Sequence, residues 1–322
     1  MYLSFFGFRE PPFQLSPDPR FFFYSKKHQE AFSHILYGIK ERKGFIVITG
    51  EVGTGKTTLC RLLLATLDSS IRTALLFNPQ WTALELLQSI NQDFGLTGKG
   101  ETKKALLDEL NRFLIDLLGR GGTALLIIDE AQLLTVECLE EIRLLSNLET
   151  DRSKLIQILL IGQPELNEKL ARHELRQLRQ RISVMWEVKP LDRDEVAAYL
   201  ASRIEMAGGK GRVVFAPKAI DRIDEYSGGF PRLINIIADQ ALLAGYVAET
   251  TFLSESIVRR AIDELGQRDP VSPARARGGI KGVLVFSLIL LVLALLSGWI
   301  WREGVFPRLF STFIAEIALR RN

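Results

Sequence analysis

The chain has 322 residues, 47% hydrophobic and 25% charged, with a formal net charge of +3. This is an ordinary globular composition, long enough for two folded domains, and the charge is too small to demand a nucleic-acid partner. Cys60 and Cys138 are the only cysteines; both fall in apparent helices, which argues against a disulfide framework and fits a reducing compartment.

The first 44 residues read as a lead-in packing on the core domain. Phe5, Phe6, Phe8, Phe13 and Phe22 are separated by Pro11, Pro12, Pro17 and Pro19, a pattern that opposes a regular helix. Part of this segment walls a ligand pocket or simply fills the core. A short helix is predicted from roughly Lys27 to Lys40. No signal peptide is visible after Met1. His28, His34 and His173 share no metal-ligand spacing with one another or with the cysteines. They read as surface or packing residues, and no zinc site is expected.

The apolar strand Phe45–Ile48 then runs into Gly50-Glu51-Val52-Gly53-Thr54-Gly55-Lys56-Thr57, which fits the Walker A pattern completely. Gly53 and Gly55 tolerate the backbone angles that turn successive N–H groups onto phosphate oxygens, and the helix starting near Lys56 adds its positive end. Lys56 would reach the β- and γ-phosphates and the Thr57 hydroxyl would ligate Mg²⁺. The residues from Gly50 to Thr58 are therefore the expected ATP cradle.

An α/β rhythm follows. Strands are predicted at Thr73–Asn78, Ala124–Ile128 and Ile156–Ile161, and helices at Ala83–Phe94, Lys103–Leu118 and Val136–Leu148. Unbroken apolar strands alternating with helices indicate a parallel sheet covered on both faces. Ala124–Ile128 ends in Asp129 and Glu130, a Walker B segment: Asp129 to hold the Mg²⁺ shell and Glu130 to polarise the attacking water. Gln163 closes the next strand. It would hydrogen-bond the γ-phosphate or the water, or it is a turn residue before Pro164.

Arg181 follows a run containing Arg172, Arg176 and Arg179. It would reach a neighbouring subunit's γ-phosphate, or it belongs to a solvated basic face. From about Asp192 the strands stop, and helices are predicted at Asp192–Met206, Pro217–Ser227, Arg232–Tyr246 and Ser254–Leu265. Arg232, after Gly228-Gly229-Phe230-Pro231, stands at a helix start, where a cation is unfavourable without an anion partner. It is placed to reach back to the phosphates.

Residues 266–281 read as a tether. Gly282–Trp301 carries no charge; as a helix it would rise about 30 Å, the thickness of a bilayer's hydrocarbon core, with an aromatic exit at Trp299 and Trp301. Basic residues on the two sides nearly balance, so the nucleotide site decides the orientation: residues before the span in the cytoplasm, 302–322 across the membrane. The tail's near-helical apolar spacing suits a membrane surface or a partner helix.

Together these segments resemble the AAA+ ATPases, and more closely the general secretion pathway protein A family, over about residues 1 to 265. The residues carrying the resemblance include Phe5-Phe6-Gly7-Phe8, Thr49 through Thr58, Ile128-Asp-Glu-Ala-Gln132, Arg143-Leu-Leu-Ser-Asn-Leu-Glu149, Ile161-Gly-Gln-Pro-Glu-Leu166, Gln180-Arg-Ile182 and Gly229-Phe-Pro-Arg-Leu-Ile-Asn235. The resemblance implies an AAA+ P-loop core at 45–190 and a helical lid at 191–265. It makes Gln163 sensor 1, Arg181 a finger acting in trans and Arg232 sensor 2. It also implies a homo-oligomer and an inner-membrane ATPase working with an inner-membrane secretion-pathway partner to place an outer-membrane secretin. The tail after Trp301 is too short for the peptidoglycan-binding domain such proteins often carry. Related ATPases of exopolysaccharide export, pilus assembly and DNA transposition or replication initiation share this core. No helix-turn-helix domain follows Leu265, so no nucleic acid is expected.

Overall fold

A computed structural model describes residues 2–16, 18–77, 80–100, 102–150, 154–209 and 211–268. The tether beyond residue 268, the predicted span 282–301 and the tail 302–322 lie outside the described residues, as does the predicted strand end at Asn78. Among the described residues no helix is long and apolar enough to cross a membrane.

Five strands form one parallel sheet: β1 (Phe45–Thr49), β2 (Ile71–Leu76), β3 (Thr123–Ile128), β4 (Ile156–Gly162) and β5 (Ile182–Glu187), in the order β2-β3-β4-β1-β5. Strand periodicity divides each apolar run between two cores. Phe45 and Val47 of β1, with Leu126 and Leu160, face one core; Ile46 and Ile48, with Leu125 and Leu159, face the other. β1 is buried along its whole length, as a strand covered on both faces must be. β5 was not anticipated from the sequence. It is an edge strand paired only with β1, and its solvent-facing Ser183, Met185 and Glu187 interrupt the apolar run that marks the inner strands.

The helices, in chain order, are α1 (Tyr2–Phe6), α2 (Lys26–Lys40), α3 (Lys56–Thr66), α4 (Ala83–Asp93), α5 (Lys103–Gly119), α6 (Val136–Leu145), α7 (Glu165–Leu170), α8 (Arg176–Arg179), α9 (Arg193–Met206), α10 (Pro217–Ser227), α11 (Pro231–Val247) and α12 (Glu255–Arg268). Their starts follow sequence signals. Thr82 and Asp192 close capping boxes with Glu85 and Glu195, and Pro217 and Pro231 occupy first turns. The short α1 corrects the expectation that the phenylalanine-rich lead-in has no regular helix: its five residues precede the first proline, Pro11, and are free to coil.

Helices α9 to α12 make a second core, with one addition to the all-helical expectation. Val214–Phe215 (β6) and Phe252–Leu253 (β7) pair in parallel as a two-residue bridge. The expectation that residues 1–44 pack on the α/β core is corrected in part. Phe6, Phe8, Phe13 and Phe21 are buried among Val196, Leu200, Ile237 and Leu242 of the helical part. Helix α2 joins the sheet through Ala31, Ile35 and Ile39, with Phe22 packed against the same core. The aromatic rings are buried in the larger apolar surface offered by the helices.

Candidate active site

Parallel strands deliver their C-terminal ends to one edge of the sheet, and a ligand site is expected where their loops diverge. β1 and β4 end in register at Thr49 and Gly162, and β3 lies beside β4. The loop after β1, the acids after β3 and Gln163 after β4 therefore meet.

The loop after β1 closes on itself. Gly53 (φ +83°) and Gly55 (φ +96°) take left-handed angles that side chains with a Cβ disfavour. Helix α3 then opens from Gly55 without a side-chain cap, leaving its first N–H groups to a ligand. Lys56 is buried; its Nζ donates to the carbonyls of Gly50 (2.7 Å) and Glu51 (3.0 Å). Burial holds its ammonium below the ordinary lysine range, while the carboxylates of Glu130, Asp129 and Glu51 pull the other way. Thr54 Oγ1 donates to the Glu51 carbonyl at 2.9 Å. Gly50, Glu51 and Thr54 thus shape the loop from behind, while Val52, Gly53, Gly55, Lys56, Thr57 and Thr58 line a cavity of about 390 Å³.

Asp129 is buried, and its Oδ2 accepts from the Thr57 hydroxyl at 3.1 Å. Burial raises its carboxyl above the usual range, against the Glu130 N–H and the Thr57 hydroxyl, which favour the charged form. A hydroxyl and a carboxylate meeting at a phosphate loop form the hard-oxygen pair that Mg²⁺ takes alongside phosphate and water. The residues fit that ion.

Glu130 adopts the left-handed conformation (φ +55°, ψ +37°), a backbone cost of about 1–2 kcal/mol for a residue with a side chain. The turn aims its carboxylate toward β4. There Oε2 accepts from Gln163 Nε2 (3.1 Å) and from Gln132 Nε2 (2.6 Å). Gln163 and Glu130 both line the cavity.

The helical part closes the other side. Arg232, in the first turn of α11, packs its side chain against Gly53 and lines the cavity. Arg203 of α9 is buried; it donates to the carbonyls of Pro12 (2.5 Å) and Gln14 (3.1 Å) and lies over the rings of Phe21 and Tyr199. Asn235 Nδ2 donates to the same Gln14 carbonyl at 3.3 Å, and its Oδ1 accepts from Tyr199. The lead-in does wall the pocket, through Gln14 to Ser16 and Phe21 to Phe23, as well as filling a core. His28 lies under the loop with Nε2 on the Thr54 carbonyl (2.9 Å). Gln132, Arg203, Asn235 and His28 carried no role in the sequence reading. Only Gln132 and Asn235 stood in matched segments; what the others touch is set by packing between distant elements.

Arg181 stands apart from the cavity. Its Nη1 donates to Ser146 Oγ (2.5 Å) and approaches the Arg143 carbonyl (3.5 Å) at the C-terminal end of α6, where a cation is favoured. The structure brings together Lys56, Thr57, Asp129, Glu130, Gln163 and Arg232, and leaves Arg181 on this outer shoulder.

A parallel sheet in this order, with a phosphate loop after β1, Walker B acids after β3 and a helical lid, defines a P-loop nucleotide-binding protein. Residues 39–170 match the AAA domain family, and the chain has the AAA+ P-loop α/β fold. Across 309 residues, 95% of the chain, it is 40% identical to general secretion pathway protein A of Aeromonas hydrophila, and it spans 55% of that protein's length. Among solved structures, the ORC2 protein of Aeropyrum pernix matches with a TM-score of 0.60 at 20% identity, covering 80% of this chain and 72% of that one. Cdc6p of Pyrobaculum aerophilum matches at 0.57 and 17% identity, covering 79% and 70%. A Walker-type ATPase of Pyrococcus abyssi matches at 0.54 and 19%, covering 80% of each. At these identities the structures share the fold.

Proposed function

We propose that the chain is a membrane-anchored AAA+ ATPase that hydrolyses ATP to drive assembly of a bacterial envelope export machine of the general secretion pathway. The chemistry rests on one observation: a carboxylate, Glu130, held at the cavity wall beside Lys56 and the Thr57–Asp129 pair. Lys56 exchanges its loop carbonyls for phosphate oxygens. Thr57 and Asp129 would hold Mg²⁺, which would supply neutralising charge for the phosphates. Glu130 takes the proton of the attacking water, with Gln163 orienting the carboxylate. Arg232 joins the lid to the phosphates, and Arg181 of a neighbouring subunit completes the site in a homo-oligomer.

The secretion role is supported by the likeness to general secretion pathway protein A over nearly the whole chain. The uncharged stretch 282–301 supports a single-pass anchor in the inner membrane, with residues 45–190 and 191–265 on the cytoplasmic side and an inner-membrane pathway protein as partner. Capture of full-length Glu130→Gln protein from crosslinked membranes in ATP, followed by mass spectrometry, tests this. Recovery of a secretin or its inner-membrane partner is expected. Recovery of polysaccharide-export or pilus components instead would move the ATPase to another machine.

A further inference from the structure

Gln132 occupies the 3₁₀ turn Ala131–Leu133 directly after the Walker B acids, and both ends of its amide are engaged. Nε2 donates to Glu130 Oε2 at 2.6 Å, and Oε1 accepts the main-chain N–H of Gln163 at 3.0 Å. The two partners allow one orientation only, since the reverse would set oxygen against a carboxylate and an amine against an N–H. The turn itself is pinned from α7, where Lys169 Nζ donates to the carbonyls of Gln132 and Leu134.

Glu130 gains direction from this arrangement. Its left-handed backbone sends the side chain toward β4, where two amides, from Gln132 and Gln163, converge on the single oxygen Oε2. Among the described residues no hydrogen bond engages Oε1. Donors gathered on one carboxylate oxygen orient the group and leave the other oxygen as the proton acceptor. Neither amide does this alone. Gln163 carries its own flexible side chain, and Gln132 fixes the main chain of Gln163 as well as the acid.

We infer that Gln132 is the positioning residue of the hydrolytic site: it locks the Glu130 carboxylate to the main chain at Gln163, so that Oε1 faces the water. This rests on the reading that Glu130 is the proton acceptor. Gln132 does not line the cavity, and it acts on the chemistry through Glu130. Its removal therefore lowers turnover and leaves ATP affinity intact.

The test is a double-mutant cycle on the full chain in membranes or detergent, reading phosphate release, KM for ATP and the melting temperature. Gln132→Leu is expected to lower kcat about 100-fold, the cost of an ångström-scale misplacement, with KM unchanged and a cooperative melting transition retained. Gln132→Glu keeps the acceptor for the Gln163 N–H and replaces the donor by a carboxylate facing Glu130; it is expected to lose turnover equally. Because Gln132 acts through Glu130, adding Gln132→Leu to Glu130→Gln should lower the residual rate no further. Wild-type turnover in either Gln132 variant overturns the inference, as do losses that multiply in the double variant or that appear in KM. Wild-type turnover by Glu130→Gln alone would instead refute the assignment of Glu130 and the proposed function with it.

Discussion

At the scale of single residues, charge under burial decides what the loop does. Lys56 is buried, and among the described residues its hydrogen-bond acceptors are two carbonyls, so its ammonium is better satisfied by phosphate than by its present partners. Lys56→Ala should weaken ATP binding by about 1.5–3 kcal/mol, about tenfold to a hundredfold in Kd by fluorescent-nucleotide titration. His28 supports the same loop from beneath. The Thr54 carbonyl can only accept, so Nε2 carries the proton, and Nδ1 accepts from the Ser25 hydroxyl at 2.8 Å. Burial depresses this imidazole below its ordinary 6.5, against the hydrogen bond to Thr54. The unfolded chain takes up a proton as pH falls through that value while the fold resists it. The neutral ring's contribution is therefore complete above 6.5 and declines below it. Melting temperature should fall more steeply from about pH 7 to about pH 5 in the wild type than in His28→Gln.

At the scale of elements, a backbone contact at the entrance to the lid fixes the start of α11. Gly229 (φ +80°) accepts the Leu191 N–H at 2.9 Å, and a Cβ there would stand 2.0 Å from the Leu191 carbonyl oxygen. That contact sets where α11 begins, and so where Arg232 meets the phosphate loop. Gly229→Ala should cost about 1–3 kcal/mol of stability in urea titration and should weaken ATP binding by displacing Arg232. Unchanged affinity for ATP would separate Arg232 from the site. The lead-in extends the same linkage. Its rings are buried with the lid, the Arg9 N–H donates to the Ala207 carbonyl, and Arg203 and Asn235 hold the Gln14 carbonyl. The pocket wall formed by residues 14–16 is thereby tied to the helices that carry Arg232.

At the scale of the whole molecule, Glu130 lies in the cavity while Arg181 lies outside it at the end of α6, so a site using both draws them from two subunits. A trans arginine is worth roughly 10³–10⁵ in kcat. Arg181→Ala and Glu130→Gln proteins should each be inactive, and mixing them should restore turnover, because some interfaces then pair an intact Glu130 with an intact Arg181. No recovery on mixing would confine Arg181 to capping α6. Much of this molecule was legible in its sequence. The inner strands are continuous apolar runs, the Walker segments are contiguous, and Pro217 opens a helix; each signal is local, because backbone angles and periodicity depend on neighbours in the chain. The half-exposed β5, the division of the lead-in between two cores, the amide of Gln132 bridging Glu130 to Gln163, and the burial of Arg203 and His28 were decided by the tertiary structure. They depend on which surfaces remain open once the sheet and lid have formed, and residues far apart in sequence meet there only through packing.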